Sequence, residues 1–244
     1  MLQNTKGIVL RSVKYGETSL ICTIFTGYFG VQSYLIQGIR STKSKSNRSG
    51  LFQPATMLEL VVYNKPQTNL QRIKEFQLAY VYNSLQEEIV KNSIALFSVE
   101  LLLRLLPEHA PMSELFDFSI HYFQELDKMP VSDVANFPLY FIIHCSRFLG
   151  YDIKGNYSAE TPHLNLHEGG FTHNAPALSP YVSDEDTKVF EQVLQANDIA
   201  ALKEIDMNAA MRYRLLDWHM DFLHQHTQHL GNIKSLAVLQ AILH

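Results

Sequence analysis

A cluster of cations near the N-terminus has the chemistry of a phosphate-binding surface. The segment 40–48 (RSTKSKSNR) holds four cations separated by hydroxyl and amide side chains: Arg40, Lys43, Lys45 and Arg48. Such side chains neutralise phosphates or hydrogen-bond their oxygens without distinguishing the bases. Arg11 and Lys14 extend the cluster, and no acidic residue lies between Glu17 and Glu59. The alternative is a solvated connector.

Aromatic residues accompany these cations, and an exposed ring could stack on an unpaired base. Most of the rings must instead fill the interior of a small domain. We expect two to be exposed: Tyr28, in a turn, and Tyr34, on the more polar face of an alternating segment. The predicted DNA-binding residues are therefore Arg11, Lys14, Tyr34, Arg40, Lys43, Lys45 and Arg48.

Histidine and cysteine side chains could instead form a metal site or a catalytic nucleophile, but their pattern is a weaker signal than that of the cations. The spacing of His163, His167 and His173 matches no closed zinc pattern. His144 and Cys145 are adjacent on a predicted helix, so their side chains diverge by about 100°. The catalytic motifs G-x-S-x-G, H-E-x-x-H, G-x-G-x-x-G and the P-loop are missing from the sequence. We therefore predict no catalytic residues, no metal and no cofactor.

The charge is distributed unevenly along the chain, although the net charge is only -4. Residues 1–80 carry ten Lys and Arg against three acids, whereas residues 81–244 carry ten against 21. This asymmetry, +7 against -11, predicts a basic module that binds a polyanion, joined to an acidic one that does not.

Five short segments near the N-terminus are typical of strands: 7–13, 20–26, 31–36, 57–63 and 70–73. Five short strands in about 75 residues fit the five-stranded OB-fold barrel. Helical spacing follows at 76–106, 113–126, 132–149, 183–195, 199–203, 208–229 and 235–243, with Ser132 as an N-cap. Residues 151–182, rich in glycine and proline, predict an irregular loop. The fold class is thus α+β: an OB-fold barrel at 1–78 and a mostly helical domain at 79–244.

Other features narrow the class of protein. No apolar run approaches the ~18 residues of a membrane span, and the N-terminus lacks the apolar core of a signal peptide. Two cysteines are too few for a disulfide scaffold. We expect a cytoplasmic protein with no small-molecule substrate.

Blocks of residues in the first 60 positions resemble the N-terminal signature of the bacterial recombination-mediator RecO family. They are Gly7-Ile8-Val9-Leu10, Tyr15-Gly16-Glu17-Thr18-Ser19, Phe25-Thr26, Gly30, Gly38-Ile39-Arg40-Ser41, Lys43-Ser44 and Leu51-Phe52-Gln53-Pro54. Weaker landmarks follow at Leu149-Gly150-Tyr151, Gly169-Gly170-Phe171 and Lys234-Ser235.

The resemblance implies an OB-fold followed by a helical domain, and a nucleoid-associated protein that acts in DNA repair. It also implies binding of single- and double-stranded DNA, annealing of complementary strands, and, with the partner RecR, loading of RecA onto DNA coated by the single-stranded-DNA-binding protein. The residues alone predict a basic barrel that binds nucleic acid. The alternative is an adaptor that binds no DNA and uses its basic loop for acidic partner tails.

The sequence departs from the family pattern in two places. The zinc finger of many relatives falls within 151–182, where this chain has no cysteine. The Arg-Phe-Glu pattern that commonly precedes Leu-Gly-Tyr is replaced by Leu139-Tyr140-Phe141-Ile142. A pocket for the acidic tail of the single-stranded-DNA-binding protein must then be built differently or be weaker.

We predict that residues 151–182 fold without metal, because the spacing of their histidines does not suit zinc. The melting temperature of the protein should be the same with and without EDTA. A large decrease with EDTA would contradict this prediction.

Overall fold

The backbone contacts of the chain group into two compact units. The barrel unit comprises Met1–Glu87 and Leu102–Lys128, and the helical unit comprises Glu88–Leu101 and Met129–His244. The predicted domain boundary after residue 78 stays a prediction. The computed structural model describes residues 1–40, 48–65, 68–175, 177, 181–182, 184–228 and 230–243.

Five strands of the described chain close into a barrel in the order β1-β2-β3-β5-β4. They are β1 (Leu2–Tyr15), β2 (Ser19–Thr26), β3 (Gly30–Ile36), β4 (Met57–Tyr63) and β5 (Leu70–Leu78). Neighbouring strands are antiparallel, except that β3 and β5 run parallel. A five-stranded barrel of this size is of the OB type, so the predicted fold class is confirmed.

The barrel closes around side chains that alternate inward along each strand. Gly7 is required here, because a Cβ atom at this position would lie 2.6 Å from Cγ2 of Ile24. Burying large apolar side chains in this way contributes roughly 1.5–3 kcal/mol each. The interior residues are each no more than 2% exposed: Val9, Cys22, Ile24, Tyr34, Phe52, Leu58, Leu60 and Val62.

The prediction of a helix at 76–106 is wrong for its first part. Residues 76–78 belong to β5, residues 79–88 are irregular, and α1 (Ile89–Leu105) begins later. The carboxylate of Asp127, on α2 (Ser113–Lys128), accepts the backbone N–H groups of Asn83 (3.0 Å), Ser84 (2.8 Å) and Leu85 (2.8 Å). These bonds hold the segment in an irregular conformation, although its apolar spacing resembles that of a helix.

The helical unit has the mostly helical character that the sequence predicted. α3 lies at its centre, since every residue from Phe137 to Ser146 is buried. The start of α7 is capped from a distance, because the Glu100 carboxylate accepts the backbone N–H groups of Lys234 (3.1 Å) and Ser235 (2.8 Å). Besides α1 and α2, the described helices are α3 (Phe137–Phe148), α4 (Asp184–Gln195), α5 (Ile199–Lys203), α6 (Ala209–His226) and α7 (Lys234–Ile242).

Two local predictions in the helical unit need correction. α3 begins at Phe137 rather than at 132, and the hydroxyl of Ser132 donates to Asp133 (2.7 Å) instead of capping the helix. Pro138 suits the first turn of a helix, because its missing N–H is not needed there.

The predicted loop 151–182 contains a small antiparallel sheet in the order β7-β6-β8. Its strands, β6 (His163–Asn165), β7 (Gly170–Thr172) and β8 (Tyr181–Val182), are too short to produce a periodic signal.

We predict that Asp127→Asn lowers the free energy of unfolding by about 2 kcal/mol at pH 7, because an ionised acceptor is replaced by a neutral one. Burial alone would raise the pKa of Asp127, but the hydrogen bonds from Asn83, Ser84 and Leu85 outweigh it, and the pKa is lowered. The stabilisation is therefore present above the unfolded pKa of about 3.9 and is lost as the pH falls through the folded pKa.

Urea unfolding at pH 7 and at acidic pH would measure the effect of Asp127→Asn. The control is Asp117→Asn, which changes an exposed carboxylate on the same helix. A difference between Asp127→Asn and wild type that does not shrink at acidic pH would contradict the assignment.

Candidate nucleic-acid interface

The outer surface of β1, β2, β3 and β5 forms one continuous face, because residues opposite each other in register point to the same side. We call it the β2–β3 face. One row across it consists of Arg11, Thr23, Ser33 and Leu70, and the next consists of Val13, Ile21, Leu35 and Arg72. The strand 2–3 face of an OB-fold and its β1–β2 and β4–β5 loops are where this fold binds oligonucleotides.

The charge on the β2–β3 face is entirely positive. Arg11 and Arg72 are exposed at its two edges, on β1 and β5, and none of its eight residues is acidic. Within the described residues, neither arginine forms an ion pair. Both can therefore contact a phosphate without breaking a salt bridge.

The β1–β2 turn adds two further cations at one end of the face. Lys14 is exposed near the end of β1. The backbone N–H of Arg40 donates to the carbonyl oxygen of Thr18 (3.0 Å), which holds Arg40 beside the turn. Lys14 lies opposite the inward-facing Leu20 in register. Of the predicted set, the structure thus places Arg11 on the β2–β3 face and Lys14 and Arg40 at the β1–β2 turn. Lys43 and Lys45 lie outside the described residues.

The expectation that the ring of Tyr34 is exposed is wrong. Tyr34 is 0% exposed, and its hydroxyl donates to Oε1 of Gln32 (2.8 Å) inside the barrel. The alternation of β3 was predicted correctly, but the side with Ser33 and Leu35 points outward. A ring in this position is part of the core, so it cannot stack on a base without opening the barrel. Tyr28, by contrast, is 71% exposed, as expected.

Arg48 lies beside β5. It begins the short 3-10 turn Arg48–Phe52, and its guanidinium carbon lies 5.9 Å from the centre of the Phe76 ring. The sequence interpretation also missed Arg72. Arg72 lies within the strand predicted at 70–73, and its alternation with Leu70 could have placed it on the outer face.

Gln71 organises the β4–β5 loop at the other end of the face. Its side chain is 2% exposed. Its Oε1 accepts the backbone N–H of Lys65 (2.9 Å), and its Nε2 donates to the carbonyl oxygens of Lys65 (2.8 Å) and Thr68 (2.7 Å). The amide therefore fixes the backbone of the exposed Lys65 beside the start of β5.

The cysteines have the environment of buried apolar residues. Cys22 and Cys145 are both 0% exposed. Burial raises the pKa of Cys22 to about 11 and that of Cys145 to about 12, so both remain neutral thiols at pH 7. Burial likewise lowers the pKa of His144 to about 4. The interpretation of Cys145 as a small buried hydrophobic residue is confirmed.

Among the histidines considered as metal ligands, His163 lies in β6 and His167 in the turn after it. Nδ1 of His173 lies 2.7 Å from the carbonyl oxygen of Glu160. In the residues that the structure describes, no group of three or more His, Cys, Asp or Glu side chains could hold a metal ion.

Comparisons with known proteins agree with this architecture. Residues 1–82 match the model described as Recombination protein O N terminal, and residues 86–237 match Recombination protein O C terminal. The chain is 34% identical over 244 residues to a DNA repair protein RecO of Bacteroides fragilis, with 99% of each chain covered. Proteins of the same name from Phocaeicola vulgatus and Christiangramia forsetii are 32% and 27% identical over 242 residues, again with 99% of each covered.

The closed barrel and the helices that follow it place this chain among proteins that join an OB-type barrel to a mostly helical part. The family models narrow the class further: the chain belongs to the Recombination protein O family, so the predicted family is confirmed. In the described part of the chain, no helix is long and apolar enough to cross a membrane.

We predict that Gln71→Leu weakens binding of an oligonucleotide about three- to tenfold, because the loop that carries Lys65 loses its three anchoring bonds. The charge of the protein does not change, so most of the dependence on salt should remain. The control Lys65→Ala should instead reduce the log-log salt slope by about 0.7 on a single strand.

Fluorescence anisotropy at several salt concentrations would compare the two variants, with circular dichroism to check the fold. Unchanged affinity in a folded Gln71→Leu protein would exclude a positioning role for this side chain.

Proposed function

We propose that the chain binds DNA on the β2–β3 face of its barrel. Membership of the Recombination protein O family gives the chain a role in DNA repair. The observation that carries the proposal is the acid-free outer face with Arg11 and Arg72 at its edges and Lys14 and Arg40 beside it. This face is the one that OB-folds use for oligonucleotides.

The proposed mechanism is charge neutralisation without covalent chemistry. Cations that contact phosphates release condensed counterions, which makes binding favourable and dependent on salt. Two complementary strands held on the same protein repel each other less and meet at a higher local concentration, so they anneal faster. The acidic residues are concentrated after residue 80, so DNA should follow the barrel rather than the helices.

The partner proteins implied by the family belong to the same proposal. The chain would bind RecR and the single-stranded-DNA-binding protein and thereby promote loading of RecA onto single strands. Binding of each purified partner to the full chain, measured with and without DNA, would test this part separately from the DNA contacts.

A protein partner for the barrel is a second candidate for the face itself. Four of its eight residues, Val13, Ile21, Leu35 and Leu70, are aliphatic. An adaptor that used this face only for proteins would bind no oligonucleotide, and this difference separates the two candidates.

We predict that replacing Arg11, Lys14, Arg40 and Arg72 with Ala weakens binding to single and double strands of any sequence. For each phosphate that the variant no longer neutralises, the log-log salt slope should decrease by about 0.7 on a single strand or about 0.9 on a duplex. Stability should change by less than ~0.5 kcal/mol per residue, because these side chains lie at the surface.

The matched control replaces four exposed cations outside the face: Arg104, Lys154, Lys188 and Lys234. Anisotropy titrations at several salt concentrations would compare the two variants. Equal weakening of binding in both, or no weakening in either, would refute the assignment of the face.

A further inference from the structure

A concave surface of the barrel unit lies alongside β5, and none of the eight residues of the β2–β3 face lines it. It is an open cleft of about 990 Å³, which we call the β5 cleft. Its aromatic lining includes Phe76, Phe116 and the exposed Tyr28. Lys6 and Arg48 supply cations, and Asp117 supplies a carboxylate. Its volume is at the upper end of the range for sites that hold small organic ligands, roughly 300–1,000 Å³.

The cleft is built from well-anchored parts. Phe116 is 4% exposed and packs edge-to-face on Phe25, with ring centres 5.3 Å apart. Phe76 packs in the same way on Phe52 at 4.8 Å, and the Arg48 guanidinium lies over the Phe76 ring. The aromatic surfaces are therefore held in place by the barrel core.

The charges of the cleft differ from those of the β2–β3 face. The lining has three cations and three carboxylates, so it is not a surface for phosphates alone. Two of the carboxylates already have partners: Glu59 accepts a hydrogen bond from Gln77 (2.6 Å), and Glu75 pairs with Lys74 (3.2 Å). Lys6, Arg48 and Asp117 form no ion pair with any residue that the structure describes.

This combination suits a nucleotide whose base is unpaired. The exposed ring of Tyr28 and the plane of the Arg48 guanidinium can stack on a base, whereas the buried Phe116 only lines the floor of the cleft. A carboxylate accepts a hydrogen bond from an amino group of a base, such as N4 of cytosine. The cations can contact the phosphates on either side of that base.

The cleft also continues the proposed DNA path along one strand. Arg72, on the β2–β3 face, and Glu75, in the lining of the cleft, point to the same side of β5, because they lie opposite Tyr63 and Val61 of β4. They are three residues apart, about 10 Å along the strand. We propose that the β5 cleft takes one unpaired base of a single DNA strand that is bound across the β2–β3 face. This inference rests on the proposed function, and it adds a preference for single strands. A duplex would have to flip out a base, which costs a few kcal/mol.

The test uses a double variant in which Tyr28→Ala and Arg48→Ala are combined. Its binding to a single-stranded oligodeoxycytidine and to a duplex is compared with that of the wild type. The single strand should bind about tenfold more weakly and the duplex should change by less than about twofold, because only the single strand places a base in the cleft. Tyr28→Phe keeps the ring and should bind like wild type. Arg104→Ala, outside the barrel strands, is the control for charge.

Photocrosslinking gives a second readout that does not depend on the variants. A single strand that carries 5-iodouracil should form an adduct on the peptide containing Tyr28 in the wild-type protein. Unchanged single-strand affinity in the double variant, or equal weakening on single strand and duplex, would overturn the proposal. So would the absence of the Tyr28 adduct.

Two further arms separate the alternatives. If a variant that combines Arg11→Ala and Arg72→Ala also binds DNA with unchanged affinity, the proposed function of the β2–β3 face fails as well. If the wild type binds a short acidic peptide and the double variant does not, while the DNA affinity of the double variant stays the same, the cleft is a protein-docking site and the proposal is wrong.

Discussion

Closure of the barrel determines which side chains of its strands are buried and which are presented to solvent. Five short strands can close only if every second side chain fills the interior, so the intervening side chains are placed together on the outside. The register of β1, β2, β3 and β5 then aligns Arg11 and Arg72 at opposite edges of one face. Packing of Ile24 and Tyr34 inside the barrel and presentation of arginines outside it are consequences of the same alternation.

The uneven distribution of charge along the chain decides which surfaces of the barrel suit phosphates. Phosphate contacts are favourable where carboxylates are absent, and the β2–β3 face has none. The β5 cleft, in which both signs of charge meet aromatic rings, suits a base better than a phosphate. The two surfaces share β5, so one strand of the barrel can present a backbone contact and a base contact to the same DNA strand.

Much of the fold was predictable because it depends on short-range patterns. The bounds predicted for β4 and α5 match the structure, and the five-strand barrel follows from alternation and turns. The failures arise from distant partners. Residues 3–6 are polar but join β1 because they pair with β4. Residues 79–88 leave the helical pattern, and Asp127 binds the backbone of three of them, Asn83, Ser84 and Leu85. Alternation revealed two faces of β3, but only the closed barrel determines that Tyr34 points inward.

Mapping the DNA-binding surface by NMR would examine the proposed role of the barrel without any substitution. Amide spectra of the ¹⁵N-labelled full chain would be recorded during titration with a single-stranded oligonucleotide. If DNA binds the β2–β3 face, shifts should concentrate on Arg11–Tyr15, Thr23, Ser33, Leu35 and Arg72, and they should diminish with added salt. Shifts confined to residues 129–243, with the barrel strands unaffected, would contradict it.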